Sequence, residues 1–287
     1  IPVGISNFEK IRNGGFYYID KTGLIAELVR SSAEVTLITR PRRFGKTLGM
    51  SMLESFFDIR KDSKKLFDGL EISHQKNLCE KWMNQWPVVF LSLKNVDGIH
   101  FSDAYQQLVY EISLLYQQHD NLLKSTALSD RDKFLFKQLQ ERQAGKTDIM
   151  RSLQFLTRLL EQHYGKKVIL LIDEYDVPLA KANENGYYDE MILLIRNLFE
   201  NVLKTNHSLK FAVLTGCLRV AKESIFTGLN NFKVYSITDV DFDENFGFTD
   251  DEVKELLHYY GQDTHYETVK EWYDGYRFGN ADVYCPW

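Results

Sequence analysis

Cysteine is scarce in this 287-residue chain: Cys79, Cys217 and Cys285 make an odd count without paired spacing. A disulfide framework and a zinc site are therefore not expected; three reduced thiols in a cytoplasmic protein are. No apolar run approaches the about 18 residues of a membrane-spanning helix, and no signal peptide is visible. Only five prolines occur, and no Pro/Gly/Ser-rich linker, internal repeat or low-complexity tract divides the chain. Positive charge is not in excess either, since the formal net charge is −5. That excludes a chain-wide basic coat for nucleic acid and leaves only a local basic patch. The seven histidines include no H-E-x-x-H pair, and there is no G-x-S-x-G elbow. Zinc-protease chemistry and hydrolysis through a serine or cysteine nucleophile are thus unsupported. What is present is a globular composition, 44% hydrophobic and 26% charged, enough at this length to bury a substantial core.

Strands and helices alternate along the chain. Asp20 occupies a helix N-cap position ahead of Leu24, Ile25, Leu28 and Val29 at helical spacing. Five apolar runs read as strands: 35–38, 88–93, 167–172, 209–214 and 232–237. The near-continuous hydrophobicity of Val88-Val89-Phe90-Leu91 is that of a parallel strand covered on both faces. Helical spacing recurs after Thr47 through Phe57, with Leu48, Met52, Leu53 and Phe56 on one face. It returns near 103–116, 130–142, 148–164 and 188–203, and two amphipathic stretches, 249–260 and 266–272, close the chain. This alternation predicts an α/β protein with a parallel sheet. The expected division is a core over residues 1–240, with its N-terminal helix, and a small C-terminal helical lid over 241–287.

The sharpest motif is Gly45-Lys46-Thr47, between the first strand and the helix that follows. A Walker A loop needs backbone N–H groups curled around phosphates, a lysine reaching the β- and γ-phosphates, and a hydroxyl on Mg²⁺. A strand before and a helix after put the phosphates at a helix N-terminus, where N–H groups and the dipole favour anions. The pattern G-x-x-x-x-G-K-[ST] nevertheless asks for glycine where this chain has Arg40. The loop must therefore open along another path, which Pro41 stiffens. Arg40, Arg42, Arg43 and Lys46 crowd positive charge into this loop. They read as a triphosphate cradle, as a contact to a nucleic-acid backbone, or as a solvated basic loop.

Val168-Ile169-Leu170-Leu171-Ile172-Asp173-Glu174 has the form of a Walker B segment. An aspartate at the end of a buried strand can hold Mg²⁺ together with the Thr47 hydroxyl. By strand alternation Glu174 faces the other way and can polarise a water for in-line attack on a γ-phosphate. Two carboxylates after five apolar residues are costly unless a site uses their charge. Asp176 reads equally as a site residue and as a helix starter. In P-loop ATPases with an additional strand, that strand ends in a polar sensor of the γ-phosphate. Thr215 stands at that place, and Arg219 is a second phosphate-sensing candidate. Arg277 lies in the aromatic-rich Trp272-Tyr273-Asp274-Gly275-Tyr276-Arg277-Phe278-Gly279. It reads either as a sensor arginine reaching the nucleotide or as a residue snorkelling from a packed aromatic cluster.

Five segments together resemble the predicted AAA-ATPase-like family of anaerobic and gut bacteria. They are Phe16-Tyr17-Tyr18-Ile19-Asp20-Lys21-Thr22, Arg40-Pro41-Arg42-Arg43-Phe44-Gly45-Lys46-Thr47, Leu171-Ile172-Asp173-Glu174-Tyr175-Asp176, Ser224-Ile225-Phe226-Thr227-Gly228-Leu229-Asn230-Asn231, and the aromatic segment 272–279. The resemblance covers nearly the whole chain, and it makes Arg40 a family trait. It implies a P-loop NTPase fold of the ASCE type, with a five-stranded parallel sheet of order 5-1-4-3-2 flanked by helices. It also implies nucleotide binding by Arg42, Arg43, Phe44, Gly45, Lys46, Thr47 and Leu48, Mg²⁺ on Thr47 and Asp173, water activation by Glu174, and a sensor role for Thr215. ATP in preference to GTP rests on the resemblance, because no N-K-x-D motif occurs. In this family a PD-(D/E)XK nuclease-like domain commonly follows the core. The end of this chain, Val283-Tyr284-Cys285-Pro286-Trp287, looks like that junction, and no nuclease motif lies within the chain.

The expected function is Mg²⁺-dependent ATP binding with slow or gated hydrolysis, driving or regulating an attached or partner domain in the bacterial cytoplasm. One rival is a nucleotide-dependent switch or interaction module with little turnover. Another is a module that engages nucleic acid through Arg40, Arg42 and Arg43.

Overall fold

The run Val168-Ile169-Leu170-Leu171-Ile172 offers no polar residue to water, and it forms a strand buried along its length, β3 (Val168–Asp173). The computed structural model describes residues 4–218, 225–226 and 232–286. Four more strands share the sheet: β1 (Val35–Thr39), β2 (Val88–Ser92), β4 (Leu209–Gly216) and β5 (Phe232–Tyr235). Their order is β2-β3-β4-β1-β5, the expected 5-1-4-3-2 read from the opposite edge. Strands β2 and β4 both run parallel to β3, with Ser92 opposite Asp173 and Leu214 opposite Ile172. The carboxyl ends of three strands therefore finish level, at the end of an α/β sheet where ligands bind.

In chain order the helices are α1 (Phe8–Asn13), α2 (Gly23–Arg30), α3 (Lys46–Phe57), α4 (Lys76–Trp82), α5 (Phe101–Gln117) and α6 (Asp130–Gln140). They continue with α7 (Lys146–Tyr164), α8 (Val177–Asn185), α9 (Tyr188–Leu203), α10 (Asp250–Tyr259) and α11 (Tyr266–Tyr273). Among the described residues no helix is long and apolar enough to cross a membrane. Cys79, Cys217 and Cys285 form no disulfide.

The chain divides into two compact units. One comprises Ala33–Leu37 and Trp86–Lys233. Its core is built on helical spacing. Helix α7 buries Ile149, Leu153, Leu156 and Leu160, and packs against α9, which buries Met191, Leu194, Ile195 and Leu198. The other unit comprises Ile1–Ser32, Ile38–Gln85 and Val234–Trp287. The C-terminal residues thus group with the N-terminal helices and with α3.

Within this second unit, Asp20 does not cap α2 itself. Thr22 precedes the helix, and Asp20 takes the Thr22 N–H and hydroxyl on Oδ1 and the Glu71 N–H on Oδ2. Lys21 donates to the Glu244 carbonyl at 2.6 Å and to both oxygens of Glu252. Helix α10 starts on a capping box, Thr249 with Glu252, which the spacing T-x-x-E encodes. The C-terminal part was expected to be helical, but it also carries an antiparallel sheet of order β6-β8-β7: β6 (Phe248–Thr249), β7 (Tyr276–Phe278) and β8 (Ala281–Tyr284). A two-residue turn, Gly279-Asn280, lets Phe278 pair with Ala281 and Tyr276 with Val283.

Asp250 ties this part together. Its carboxylate accepts from Lys254 Nζ at 2.5 Å, from the Tyr266 hydroxyl at 2.5 Å and from the Tyr284 hydroxyl at 2.7 Å. These donors, Lys254 first, hold the carboxyl well below the ordinary aspartate range. A depressed folded-state pKa contributes stability above the unfolded value and loses it as pH falls through the folded value. Asp250→Asn should therefore cost about 1 kcal/mol near neutral pH, a figure discounted for the exposure of the group. The cost should begin to shrink below about pH 4, where the unfolded chain takes up a proton that the folded Asp250 still refuses. Urea unfolding at neutral and acid pH checks this; an equal cost at both would refute it.

Candidate functional site

The phosphate-loop motif folds as its residue types require. After β1 the chain passes through Arg43 at φ +72° and Gly45 at φ +80° before entering α3. Glycine at 45 is favoured by that left-handed angle alone, since nothing lies within 4 Å of where its Cβ would be. Helix α3 then begins with no side-chain cap and no acid in its first turn. Its first N–H groups and dipole thus present a site for an anion. Thr47 and Leu48 are half-buried, while Arg42, Arg43 and Gly45 are exposed. Lys46 is buried, and its ammonium donates to the carbonyls of Arg40 at 2.9 Å and Pro41 at 2.7 Å.

Two residues of this loop do something other than expected. Arg40 is no part of a phosphate cradle: it is fully buried. Its Nη1 donates to the carbonyls of Thr39, Tyr235 and Ser236, and its Nη2 to that of Phe242, at 2.8 to 3.2 Å. The guanidinium also lies over the rings of Phe246 and Phe278, 5.5 and 5.1 Å from their centroids. Burial lowers its pKa to about 10 against the opposing pull of Asp239 and Asp243, so it stays charged at neutral pH. Phe242 is held from both sides. Its N–H donates to Glu27 at 3.0 Å, its carbonyl goes to Arg40, and its φ is +63°. Phe44 is likewise buried. Its ring sits 4.9 and 5.1 Å from Tyr276 and Phe278, so its side chain anchors the loop to the unit's own core instead of facing a nucleotide.

Arg277 is exposed on β7. Tyr276 and Phe278 turn to Phe44, so alternation along β7 sends Arg277 to the other face. There it pairs at 3.3 Å with exposed Asp282. Arg219 lies outside the described residues.

The residues that end β3 form a cluster within the unit that contains β3 and β4. Asp173 is fully buried, and its Oδ1 accepts the Thr215 hydroxyl at 2.5 Å. Its Oδ2 is buried with no hydrogen-bond partner among the described residues. Glu174 stands one residue beyond the strand at φ +54°, so the turn, not strand alternation, sets its direction. Tyr175 and Asp176, whose roles the motif alone did not reveal, hold the chain just after β4. Tyr175 N–H donates to the Thr215 carbonyl at 3.1 Å, and the Tyr175 hydroxyl to the Leu218 carbonyl at 2.5 Å. Asp176 Oδ2 accepts the N–H groups of Cys217 at 3.0 Å and Leu218 at 2.8 Å.

No group of three or more His, Cys, Asp or Glu residues able to hold a metal occurs among the described residues. A Mg²⁺ that travels with a nucleotide needs fewer, since one or two carboxylates with phosphate and water oxygens complete its shell. The unpartnered Asp173 Oδ2 fits that requirement, being a charged oxygen that is costly to bury without a ligand.

A family model described as Predicted AAA-ATPase matches residues 2–226. A protein of Azotobacter chroococcum mcd 1, described as an uncharacterized protein in the vnfD 5' region, is 29% identical over 290 residues. That alignment takes in 100% of this chain and 50% of the relative, so the chain spans half of the relative's length.

Arg40→Gly would restore the commoner loop pattern. It should nevertheless destabilise the protein by about 3 kcal/mol or more, because buried carbonyls lose their donor and a void opens. Urea unfolding measures this; unchanged or increased stability would show that the carbonyls find other donors.

Proposed function

The chain belongs to the predicted AAA-ATPase family, and from that premise we propose that it is a Mg²⁺-dependent ATP-binding core with slow or gated hydrolysis. The observation that carries this reading is the start of α3. A left-handed Gly45 delivers an uncapped helix N-terminus, with Lys46 and Thr47 as its first residues. Backbone N–H groups from Gly45 to Leu48 receive phosphate oxygens, and exposed Arg42 and Arg43 add positive charge. Lys46 leaves the carbonyls of Arg40 and Pro41 for the β- and γ-phosphate oxygens. The Thr47 hydroxyl and an Asp173 carboxylate oxygen are the groups that would hold Mg²⁺, which when bound would neutralise charge on those phosphates. Glu174 orients the attacking water and accepts its proton. Thr215, proposed as a sensor from its position, has its hydroxyl on Asp173 and acts through that carboxylate.

The gating follows from Lys46, which must give up two carbonyl contacts before it can serve a phosphate. The same observation favours a second reading, a nucleotide-dependent switch with little turnover. Either device would serve an attached domain, which half of the longer relative leaves room for; a nuclease-like domain is the proposed partner. Nucleic acid would then be engaged indirectly, and a cytoplasmic setting belongs to the same proposal.

Nucleotide binding and phosphate release on the purified chain test this. Lys46→Ala should weaken ATP binding about 10- to 100-fold, the worth of a charge-assisted contact. Glu174→Gln should keep ATP affinity and cut turnover by about 100-fold or more. A wild-type chain that binds no nucleotide would overturn the function. Binding without turnover would select the switch.

A further inference from the structure

We infer that Asp176 is a positioning residue for the metal. Through the turn after β4 it fixes the Thr215 hydroxyl on Asp173 Oδ1 and so keeps Asp173 Oδ2 open to the cation. The inference rests on the proposed Mg²⁺-nucleotide reading. Asp176 is itself buried, and its Oδ2 receives two successive main-chain donors, Cys217 N–H and Leu218 N–H. The Tyr175 hydroxyl takes the Leu218 carbonyl, and Tyr175 N–H takes that of Thr215. Four hydrogen bonds thus fix the main chain at 215, 217 and 218.

Between them lies Gly216. A Cβ there would come within 2.5 Å of both Asp176 Oδ1 and the Tyr175 ring. Only glycine lets the turn close this tightly onto the pair. Of the four bonds only that of Tyr175 N–H reaches Thr215 itself; the two bonds of Asp176 act on it through Gly216, the residue between Thr215 and Cys217. The Thr215 hydroxyl donates to Asp173 Oδ1 at 2.5 Å. With Oδ1 taken, the carboxylate cannot rotate freely, and its unpartnered Oδ2 is held in one direction. Partners that orient a metal-binding carboxylate typically change metal affinity 10- to 100-fold when removed.

The test measures the cation directly. Mn²⁺ binding is followed by electron paramagnetic resonance in the presence of saturating ADP, and nucleotide binding is measured separately in EDTA. Asp176→Asn leaves the shape but weakens the acceptor, and Thr215→Val removes the hydroxyl. Each should lower Mn²⁺ affinity about 10-fold while changing nucleotide affinity in EDTA less than about 3-fold. Because Asp176 acts through Thr215, the double variant should lose no more than the worse single one. Tyr175→Phe, which removes one hydroxyl from the same turn, should shift Mn²⁺ affinity in the same direction and serves if Asp176→Asn does not fold. Unchanged Mn²⁺ affinity in the single variants, or losses that add in the double, would overturn the inference and leave the proposed function standing. Failure of the wild type to bind nucleotide in EDTA or with metal would overturn the function and this inference with it.

Discussion

A guanidinium cut off from water is the constraint on which the loop-bearing unit depends. Arg40 cannot lose its proton at neutral pH and cannot reach solvent, so its two Nη groups take acceptors inside, while its Nε has none among the described residues. It finds four backbone carbonyls, three of them from residues about two hundred positions later in the chain. Those residues are thereby fixed against the root of the phosphate loop. Phe242, in a left-handed conformation that costs a bulky residue energy, is tolerable because Glu27 holds its N–H and Arg40 its carbonyl. Lys21, reaching the Glu244 carbonyl and the Glu252 carboxylate, extends the same anchoring toward α10. One arginine thus explains why residues beyond 234 group with the N-terminal helices.

The sheet poses a different problem, that of keeping a carboxylate buried and usable. Parallel registers bring the ends of β2, β3 and β4 level. Asp173 then lies beside the end of β4, and a hydroxyl from Thr215 can satisfy half of it. A second hydroxyl or amide would have made a quieter core and a useless site. The unsatisfied half is the kind of local cost that folded proteins retain where chemistry is done.

How much of this the residues announced depended on the kind of signal. Strands β1 to β4 were legible because a buried parallel strand is a continuous apolar run, and α7 and α9 because their apolar positions recur at helical spacing. Helix α8 was not, since Pro178 opens it and it has little amphipathic pattern. The β7–β8 hairpin hid behind an aromatic segment whose two-residue turn, Gly279-Asn280, was its sole clear marker. At the proposed site, motif chemistry suggests residues but not their arrangement. Gly45, Lys46, Thr47, Asp173 and Glu174 are proposed on that chemistry. That Thr215 meets Asp173 joins residues 42 apart. Arg40 was read as loop charge because arginine is normally solvated, and its partners are main-chain carbonyls, which carry no side-chain signature.

The position of Lys46 follows from the same economy of acceptors. A buried ammonium needs partners, and the loop supplies the carbonyls of Arg40 and Pro41. The first of these belongs to a residue whose side chain is locked in the core, so that carbonyl cannot travel with the lysine. Any ligand that claims Lys46 must replace both contacts, and its net gain is a difference between old bonds and new ones. A neutral ligand offers carbonyl-like acceptors and gains nearly nothing by the exchange. A phosphate brings full negative charge, for which the hydrogen bond is about twice as strong, and it meets the uncapped start of α3 as well. Under the proposed function the loop would therefore favour highly charged anions by the same contacts that keep its lysine satisfied in their absence.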